Sequence, residues 1–288
     1  MKLIRHPGFT SLVVALVALA NASYAATIPV TGWIAHNQSS PVTVITNDTT
    51  NSPTMTPADQ ALTVMGTFPS VNLANDGDFI KLSLTLQMSN RTGNSGVNAL
   101  NTQLRMGLYK GPDGAVTSLD VPNVGAFVTY ANNVVAQEVN RKIREQGSAS
   151  SVNPLSNTAD ISDPSTQDVD GDSIQGANPG PVYFELAFIR NAGKLDLTAQ
   201  ISGTDSVTTR PFLINFAKTG YDPVNFGFTY NRAAFFFGNN TDAPAATLSN
   251  VIVETNVVPE PAALFLAIAA VTGSTMISSR RRKKSAAN

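Results

Sequence analysis

Alternation of apolar and polar residues is the dominant pattern of this chain. Its clearest stretch, Phe79–Met88, places five large apolar side chains on one side and Lys81, Ser83, Thr85 and Gln87 on the other. A period of two residues is typical of a β-strand with one buried face. The same pattern predicts ten further strands, at Val42–Thr46, Leu62–Gly66, Gln103–Tyr109, Ala126–Tyr130, Tyr183–Ile189, Leu195–Ile201, Phe212–Phe216, Asn225–Tyr230, Ala234–Phe237 and Thr247–Glu254.

Turn-forming residues separate these runs, as at Asn75–Asp78, Gly111–Gly114 and Asn191–Gly193. Many short strands with such turns predict an all-β fold, a two-sheet antiparallel jelly-roll sandwich. One stretch departs from the pattern: between Asn132 and Gln146, Val135, Val139 and Ile143 recur at helical spacing. The sequence therefore predicts a single helix at that place, with its cationic side chains in solvent.

The N-terminus has the three parts of a secretory signal peptide. Lys2 and Arg5 precede an apolar core from Phe9 to Ala20, and Ser23-Tyr24-Ala25 provides small residues at the cleavage positions. We predict a signal peptide over residues 1–25 with cleavage after Ala25, and a second possible site after Ala22.

The C-terminal part contains an apolar run followed by a block of cations. Ala262–Ser279 is eighteen uncharged residues long, which as a helix gives about 27 Å against a hydrocarbon core of about 30 Å. Five cations follow it directly: Arg280, Arg281, Arg282, Lys283 and Lys284. Because such a block stays cytoplasmic, the rest of the chain is predicted to lie on the other side of the membrane. These features alone also fit a permanent single-pass anchor behind a proline linker.

A triplet of Pro259, Glu260 and Pro261 stands just before this run. The triplet, the short span and the basic end, in this order, resemble the PEP-CTERM sorting signal of Gram-negative bacteria, over residues 257–288. The resemblance implies recognition by an exosortase-type membrane protease, transient inner-membrane anchoring, removal of the tail, and delivery to the cell surface or extracellular polysaccharide. Export would use the Sec translocon and signal peptidase. The folded body is then predicted to be residues 26–256.

Composition narrows the partners of this body. Without the two cations of the leader, and the five cations and one acid of the tail, it contains 12 Lys and Arg against 19 Asp and Glu. A net charge of −7 disfavours nucleic acid and anionic membranes as partners. The chain has no cysteine, so neither disulfides nor thiol chemistry are available.

Several stretches of the body resemble the concanavalin-like and laminin-G-like jelly rolls of exported proteins. They are Gly77-Asp78-Phe79 before a long strand, Leu104–Tyr109 before a turn, the hairpin Tyr183–Ile201, and the closing Leu248–Glu254. The resemblance implies the fold only, because that group contains lectins, glycosidases, lyases and domains without a known ligand.

The body offers few residues for catalysis. Glycoside cleavage needs two carboxylates beside one bond, yet Glu185 and Asp196 stand singly on different predicted strands, and His36 is the only histidine of the body. We predict a non-enzymatic protein without catalytic residues; the alternative is a polysaccharide-active hydrolase or lyase of the same fold. Most aromatic residues, including the only tryptophan, Trp33, are expected in the core.

One segment suggests a metal. Asp168, Asp170 and Asp172 alternate within an acidic, Gly/Pro/Ser-rich loop over residues 147–181. Carboxylates at i, i+2 and i+4 can converge on Ca²⁺, as at the start of an EF-hand loop, but Ser173 and Pro179 stand where that loop has Gly and Glu. The alternative is a metal-free acidic surface loop. No other cofactor is predicted, and the expected function is that of an exported surface or matrix protein with weak carbohydrate binding.

Overall fold

The protein is described here from a computed structural model, over residues 25–37, 44–46, 51–56, 62–89, 102–114, 123–133, 138–146, 158–161, 180–204, 211–237 and 245–257. They belong to one compact unit that ends at Val257. Outside them lie most of the predicted signal peptide, the predicted calcium ligands Asp168, Asp170 and Asp172, and the predicted sorting signal with its apolar run 262–279 and basic residues 280–284. No helix of the described ranges is long and apolar enough to cross a membrane.

The described residues form fifteen strands. In chain order they are β1 (Ala26–Pro29), β2 (Thr31–Asn37), β3 (Val44–Thr46), β4 (Thr54–Thr56), β5 (Leu62–Asn72), β6 (Phe79–Ser89), β7 (Thr102–Lys110), β8 (Val124–Asn133), β9 (Glu138–Gln146), β10 (Thr158–Asp160), β11 (Val182–Asn191), β12 (Lys194–Thr204), β13 (Pro211–Tyr221), β14 (Thr229–Phe237) and β15 (Ala245–Thr255).

The strands make two antiparallel sheets. One has eight strands in the order β13-β12-β11-β6-β15-β4-β3, with β1 also paired to β15; the other has seven in the order β10-β9-β8-β7-β14-β5-β2. The chain crosses between the sheets repeatedly, for example from β5 to β6 and from β13 through β14 to β15, as in a jelly roll. The predicted all-β, two-sheet antiparallel sandwich is therefore confirmed.

The core lies between the two sheets and follows the alternation of the sequence. In β6 the side chains of Ile80, Leu82, Leu84 and Leu86 are buried and those between them are partly exposed. Phe184 of the eight-stranded sheet meets Phe235 of the seven-stranded sheet edge to face, with ring centroids 5.4 Å apart. Each large side chain fully buried in this way contributes about 1.5–3 kcal/mol.

A second, smaller cluster covers the outer face of the seven-stranded sheet. It contains Met65, Tyr109, Phe127, Ala234 and Phe236. The guanidinium of Arg105 lies over two of these rings, with its Cζ 4.8 Å from the Phe236 centroid and 5.9 Å from that of Phe127. Burial lowers the pKa of Arg105 to about 10, and the nearby Arg144 lowers it in the same direction.

Two predictions of secondary structure are wrong. The helix predicted over Asn132–Gln146 is instead the end of β8 and the strand β9, which pair from Gly125 opposite Gln146 to Asn133 opposite Glu138. Helical spacing of three apolar residues is overridden here by hydrogen bonding to a neighbouring strand, because tertiary context outweighs a weak local preference. The strand predicted over Asn225–Tyr230 begins only at Thr229, since 222–228 is a turn.

Four turns meet at one end of the sandwich, which we call the turn end: residues 73–78, 111–114, 192–193 and 222–228. Hydrogen bonds link neighbouring turns, from Leu73 N to Phe228 O at 2.9 Å and from Gly193 N to Asp76 Oδ1 at 3.2 Å. The first strand also starts at this end, where Ala26 pairs with Thr255 of β15. Of the backbone that the structure describes outside the strands, most lies at the turn end, where a binding site could be built.

Candidate functional site

The turn over residues 111–114 separates two open cavities at the turn end. One, which we call the groove, has a volume of about 490 Å³ and is lined by Lys110, Gly111, Pro112, Val124, Val224, Asn225, Phe226 and Gly227. The other, the side cavity, has about 300 Å³ and is lined by Thr31, Thr67, Phe68, Pro69, Ser70, Asp113, Gly114 and Asn231. Concave surfaces with a few polar groups are where small ligands usually bind.

The turn is fixed by the side chain of Asn231. Its Oδ1 accepts from Gly111 N at 2.9 Å, and its Nδ2 donates to Gly111 O at 3.1 Å. The β14–β5 ladder is irregular between Tyr230 and Arg232, and the β14–β7 ladder starts only at Arg232 opposite Tyr109. The amide of Asn231 therefore takes the place of a backbone peptide and extends the pairing of β7 into the turn.

Arg232 holds the turn from beneath. This side chain is only 2% exposed, and its Nη2 donates to Pro112 O at 2.8 Å while its Nη1 donates to Asn123 Oδ1 at 3.0 Å. Its Nε has no hydrogen-bond partner. Burial lowers the pKa of Arg232. A Cβ on Gly111 would lie 2.2 Å from the Arg232 Nε, so glycine is required where the turn crosses this guanidinium.

The groove combines apolar and polar groups. Val224 is 80% exposed, Phe226 is almost completely buried, and Lys110 is an exposed cation. Phe226 stacks on Tyr221 with ring centroids 6.0 Å apart and an interplanar angle of 18°. The groove can therefore contact a ligand through aliphatic surface and hydrogen bonds, whereas its aromatic ring lies beneath the surface.

A buried carboxylate ties the groove to both sheets. Glu145 of β9 is 6% exposed and accepts hydrogen bonds from the Tyr221 hydroxyl, at the end of β13, and from Asn225 Nδ2. Burial, and secondarily Glu145, raise the pKa of Tyr221 well above its usual value, so this hydroxyl remains a donor. Because β9 and β13 belong to different sheets, the carboxylate fixes their separation beside the groove.

A different pair of carboxylates lies on the outer face of the eight-stranded sheet. Glu185 Oε2 and Glu254 Oε2 lie 3.7 and 2.6 Å from Lys81 Nζ, so the two oxygens are at most about 6 Å apart. The prediction that Glu185 stands alone is therefore wrong: its partners come from neighbouring strands, and Tyr183 also donates to it at 2.7 Å. Asp196 accepts from Asn191 Nδ2 and Gly220 N, both at 2.8 Å.

This carboxylate pair is poorly placed for sugar cleavage. The ammonium of Lys81 lies against both acids, where a glycosidic oxygen would have to bind. Neither acid lines the groove or the side cavity. The hydrogen bond that Lys81 donates to Glu254 contributes most to the raised pKa of Lys81, so this cation persists through the neutral range.

The aromatic residues behave largely as the sequence predicts. Trp33 is 4% exposed and belongs to the core, as do Tyr130 and Tyr230. Phe235 and Phe237 enter the core and Phe236 the outer cluster, as alternation along the strand requires. Only Tyr183 and Tyr221 of the described tyrosines are half-buried.

Of the site residues predicted from sequence, Ala25 alone lies within the described ranges, where it is exposed and immediately precedes β1. Within those ranges no three acidic, histidine or cysteine side chains converge as metal ligands do. The sequence marked Gly111–Gly114 as a turn but missed Asn225, Asn231, Arg232 and Glu145. The available signal was the polar pair Asn231-Arg232, which interrupts the otherwise apolar predicted strands 225–230 and 234–237.

Comparison with known proteins identifies structural neighbours that are legume-lectin-like domains. No protein-family model matches the chain, and no curated protein sequence does. Lectin I from Ulex europaeus, solved with the methyl glycoside of α-L-fucose, is 8% identical over 81% of this chain and 97% of its own, with a TM-score of 0.44. Arcelin-5, a lectin-like defence protein from Phaseolus vulgaris, is 8% identical over 81% and 97%, with a TM-score of 0.43. The metal-free lectin I-B4 from Griffonia simplicifolia is 11% identical over 78% and 92%, with a TM-score of 0.42. Likeness at this level does not identify a ligand or a site in this chain.

Proposed function

We propose that this chain is an exported, non-enzymatic surface or matrix protein whose β-sandwich binds carbohydrate weakly in the groove at the turn end. The observation that carries the proposal is the groove itself: a concave surface of about 490 Å³ with an exposed cation and an amide beside aliphatic side chains. Sugars present hydroxyl groups and apolar C–H surface together, so such a lining suits them. None of the described residues that line the groove offers an accessible ring for stacking, which fits low affinity.

The test is a glycan screen of the full chain, followed by titration calorimetry with the best binder. Lys110→Ala is expected to weaken binding by about fivefold, as loss of a hydrogen bond worth about 1 kcal/mol would. The matched control is Lys194→Ala, which removes an equally exposed lysine outside the groove. Equal affinity of both variants would show that the groove is not the binding surface.

The export route is a separate part of the proposal. A Sec signal peptide cut after Ala25 would deliver the body to the periplasmic side, and the tail 257–288 would hold it at the inner membrane until an exosortase-type protease removes it. The support is sequence order: Pro259-Glu260-Pro261, an uncharged run, then five cations. The protein would end at the cell surface or in extracellular polysaccharide of a Gram-negative bacterium.

Replacing Pro259, Glu260 and Pro261 together by alanine tests the sorting step. The expected result is a full-length protein that stays in the membrane fraction, whereas the unchanged chain loses its tail, as mass spectrometry of the mature C-terminus would show. If both proteins remain membrane-bound and uncut, the tail is a permanent anchor.

A further inference from the structure

The amide of Asn225 is oriented by a buried carboxylate and only partly used. Its Nδ2 donates to Glu145, and because an ionised carboxylate only accepts, the NH₂ group must be the one that faces it. Asn225 has no other hydrogen bond to the described part of the chain. Among the described residues its Oδ1 is therefore an unused acceptor, on a side chain that lines the groove.

Glu145 is itself held so that it can orient this amide. Its second oxygen accepts from the Tyr221 hydroxyl, and the side chain is almost completely buried. The Tyr221 ring is fixed in turn by stacking on Phe226, which also lines the groove. The orientation of Asn225 thus depends on groups from β9, β13 and the 222–228 turn, and thermal rotation of the amide is restricted.

We infer that Glu145 is a positioning residue for the groove: it turns Asn225 so that Oδ1 accepts a hydrogen bond from a hydroxyl group of the ligand. This inference rests on the proposed function of the groove. Glu145 does not touch the ligand itself, because its side chain is almost completely buried and does not line the groove.

The same lining indicates the class of saccharide. Lys110 has no ion-pair or hydrogen-bond partner in the described part of the chain and lines the groove with Asn225. Two adjacent hydroxyl groups match this pair, since one hydroxyl donates to Asn225 Oδ1 while the oxygen of its neighbour accepts from Lys110 Nζ. The ligand assigned to the groove is therefore a neutral saccharide with vicinal hydroxyls.

Charge argues against a polyanionic saccharide. Asp222 begins the turn that forms one wall, Asp113 lies on the turn that forms the other, and the body has a net charge of −7. A single exposed lysine does not offset this excess for a polymer with a charge on every sugar. Oligogalacturonate is accordingly the negative probe.

The experiment measures binding of soluble dextran, mannan and galactan, with oligogalacturonate as the anionic counterpart, to the full chain by calorimetry. Asn225→Ala is expected to weaken binding of the neutral polysaccharide by about fivefold, the loss of one hydrogen bond. Glu145→Gln is expected to weaken it by a similar factor, and the double variant no further than Asn225→Ala alone. If Glu145→Gln instead weakened binding by destabilising the fold in general, the double variant would lose more affinity than Asn225→Ala alone.

Asn225→Asp provides the sharpest contrast, because the side chain is exposed on the turn and the change barely alters its shape. It retains an acceptor oxygen but replaces the donor that faces Glu145 with a second acceptor, so the two carboxylates repel each other. Positioning predicts weaker binding, whereas a ligand that needs only an acceptor would bind at least as well. Asn215→Ala on β13, which removes an exposed amide outside the groove, is the control and should leave the affinity unchanged.

The outcomes distinguish the inference from the proposed function. Unchanged affinity in folded Glu145→Gln and in Asn225→Asp, with a loss in Asn225→Ala, would overturn positioning and leave the groove as the site. Tighter binding of oligogalacturonate than of any neutral polysaccharide would overturn the ligand class. Failure of the unchanged chain to bind dextran, mannan, galactan or oligogalacturonate would overturn the proposed function.

Discussion

Replacing Asn231 with alanine tests the idea that a side-chain amide substitutes for backbone pairing at the turn end. The change removes the two hydrogen bonds with Gly111, at 2.9 and 3.1 Å, and leaves a backbone N–H and C=O without these partners. At about 0.5–1.5 kcal/mol for each bond, the expected loss in the free energy of unfolding is about 2 kcal/mol. Water can reach Gly111, which is half-buried, so the larger penalty for fully buried unpaired groups does not apply.

Thermal unfolding followed by circular dichroism measures this loss. For a domain of this size, about 2 kcal/mol corresponds to a decrease of about 4–8 °C in Tm. The control is Asn215→Ala, whose exposed amide accepts a single bond from Gln200 Nε2 at 3.2 Å and should shift the Tm by no more than about 1–2 °C. If Asn231→Ala and Asn215→Ala have the same Tm, the amide of Asn231 does not hold the turn.

Asn231→Asp separates hydrogen bonding from side-chain volume. The aspartate keeps an acceptor for Gly111 N, but its second oxygen would face Gly111 O and repel it. We expect a Tm below that of the unchanged chain despite the nearly identical shape. A Tm equal to that of the unchanged chain would mean that only the bond from Gly111 N matters.

Two further predictions concern the core and the pH dependence. A Cβ on Gly66 would lie 2.9 Å from the ring of Trp33, so Gly66→Ala should cost about 1–3 kcal/mol and change the emission of the only tryptophan; unchanged emission and Tm would contradict this packing. The hydrogen bond from Lys142, reinforced by Arg144, holds the pKa of Asp160 below its ordinary value of 3.8. The stabilisation that results is fully present above a pH of 3.8 and is lost as the pH falls through the lower pKa of the folded state. The difference in Tm between the unchanged chain and Asp160→Asn should therefore become smaller on acidification. A constant difference across the titration would contradict it.

Much of the fold follows from alternation because each sheet has one face in a common core. Phe79–Met88 was identified as a strand and corresponds to β6, whose inward positions are all buried. Short strands such as β4 and β10 contain only three residues each, too few for a period to be recognised. Strand β9 was mistaken for a helix because its residues have no strong preference and only pairing with β8 decides their conformation.

The candidate site was harder to predict because the residues that bond to each other in it are distant in sequence. Asn231 and Gly111 are 120 residues apart, and Glu145 and Asn225 are 80 apart. No local pattern reports such contacts, since they arise only when the strands are arranged in their sheets. What the sequence does show is the turn at 111–114 and a polar pair inside an apolar strand, and both belong to this site.

The pairing of Ala26 with Thr255 gives the described body a nearly closed chain path. Paired residues of antiparallel strands have Cα atoms about 4.5–5.5 Å apart, so a linker of a few residues could join Val257 to Ala26 without disturbing β1 or β15. New ends could then be opened in the exposed hairpin at Ala192-Gly193. A chain that begins at a different strand could thus form the same sandwich, so the fold is suited to circular permutation.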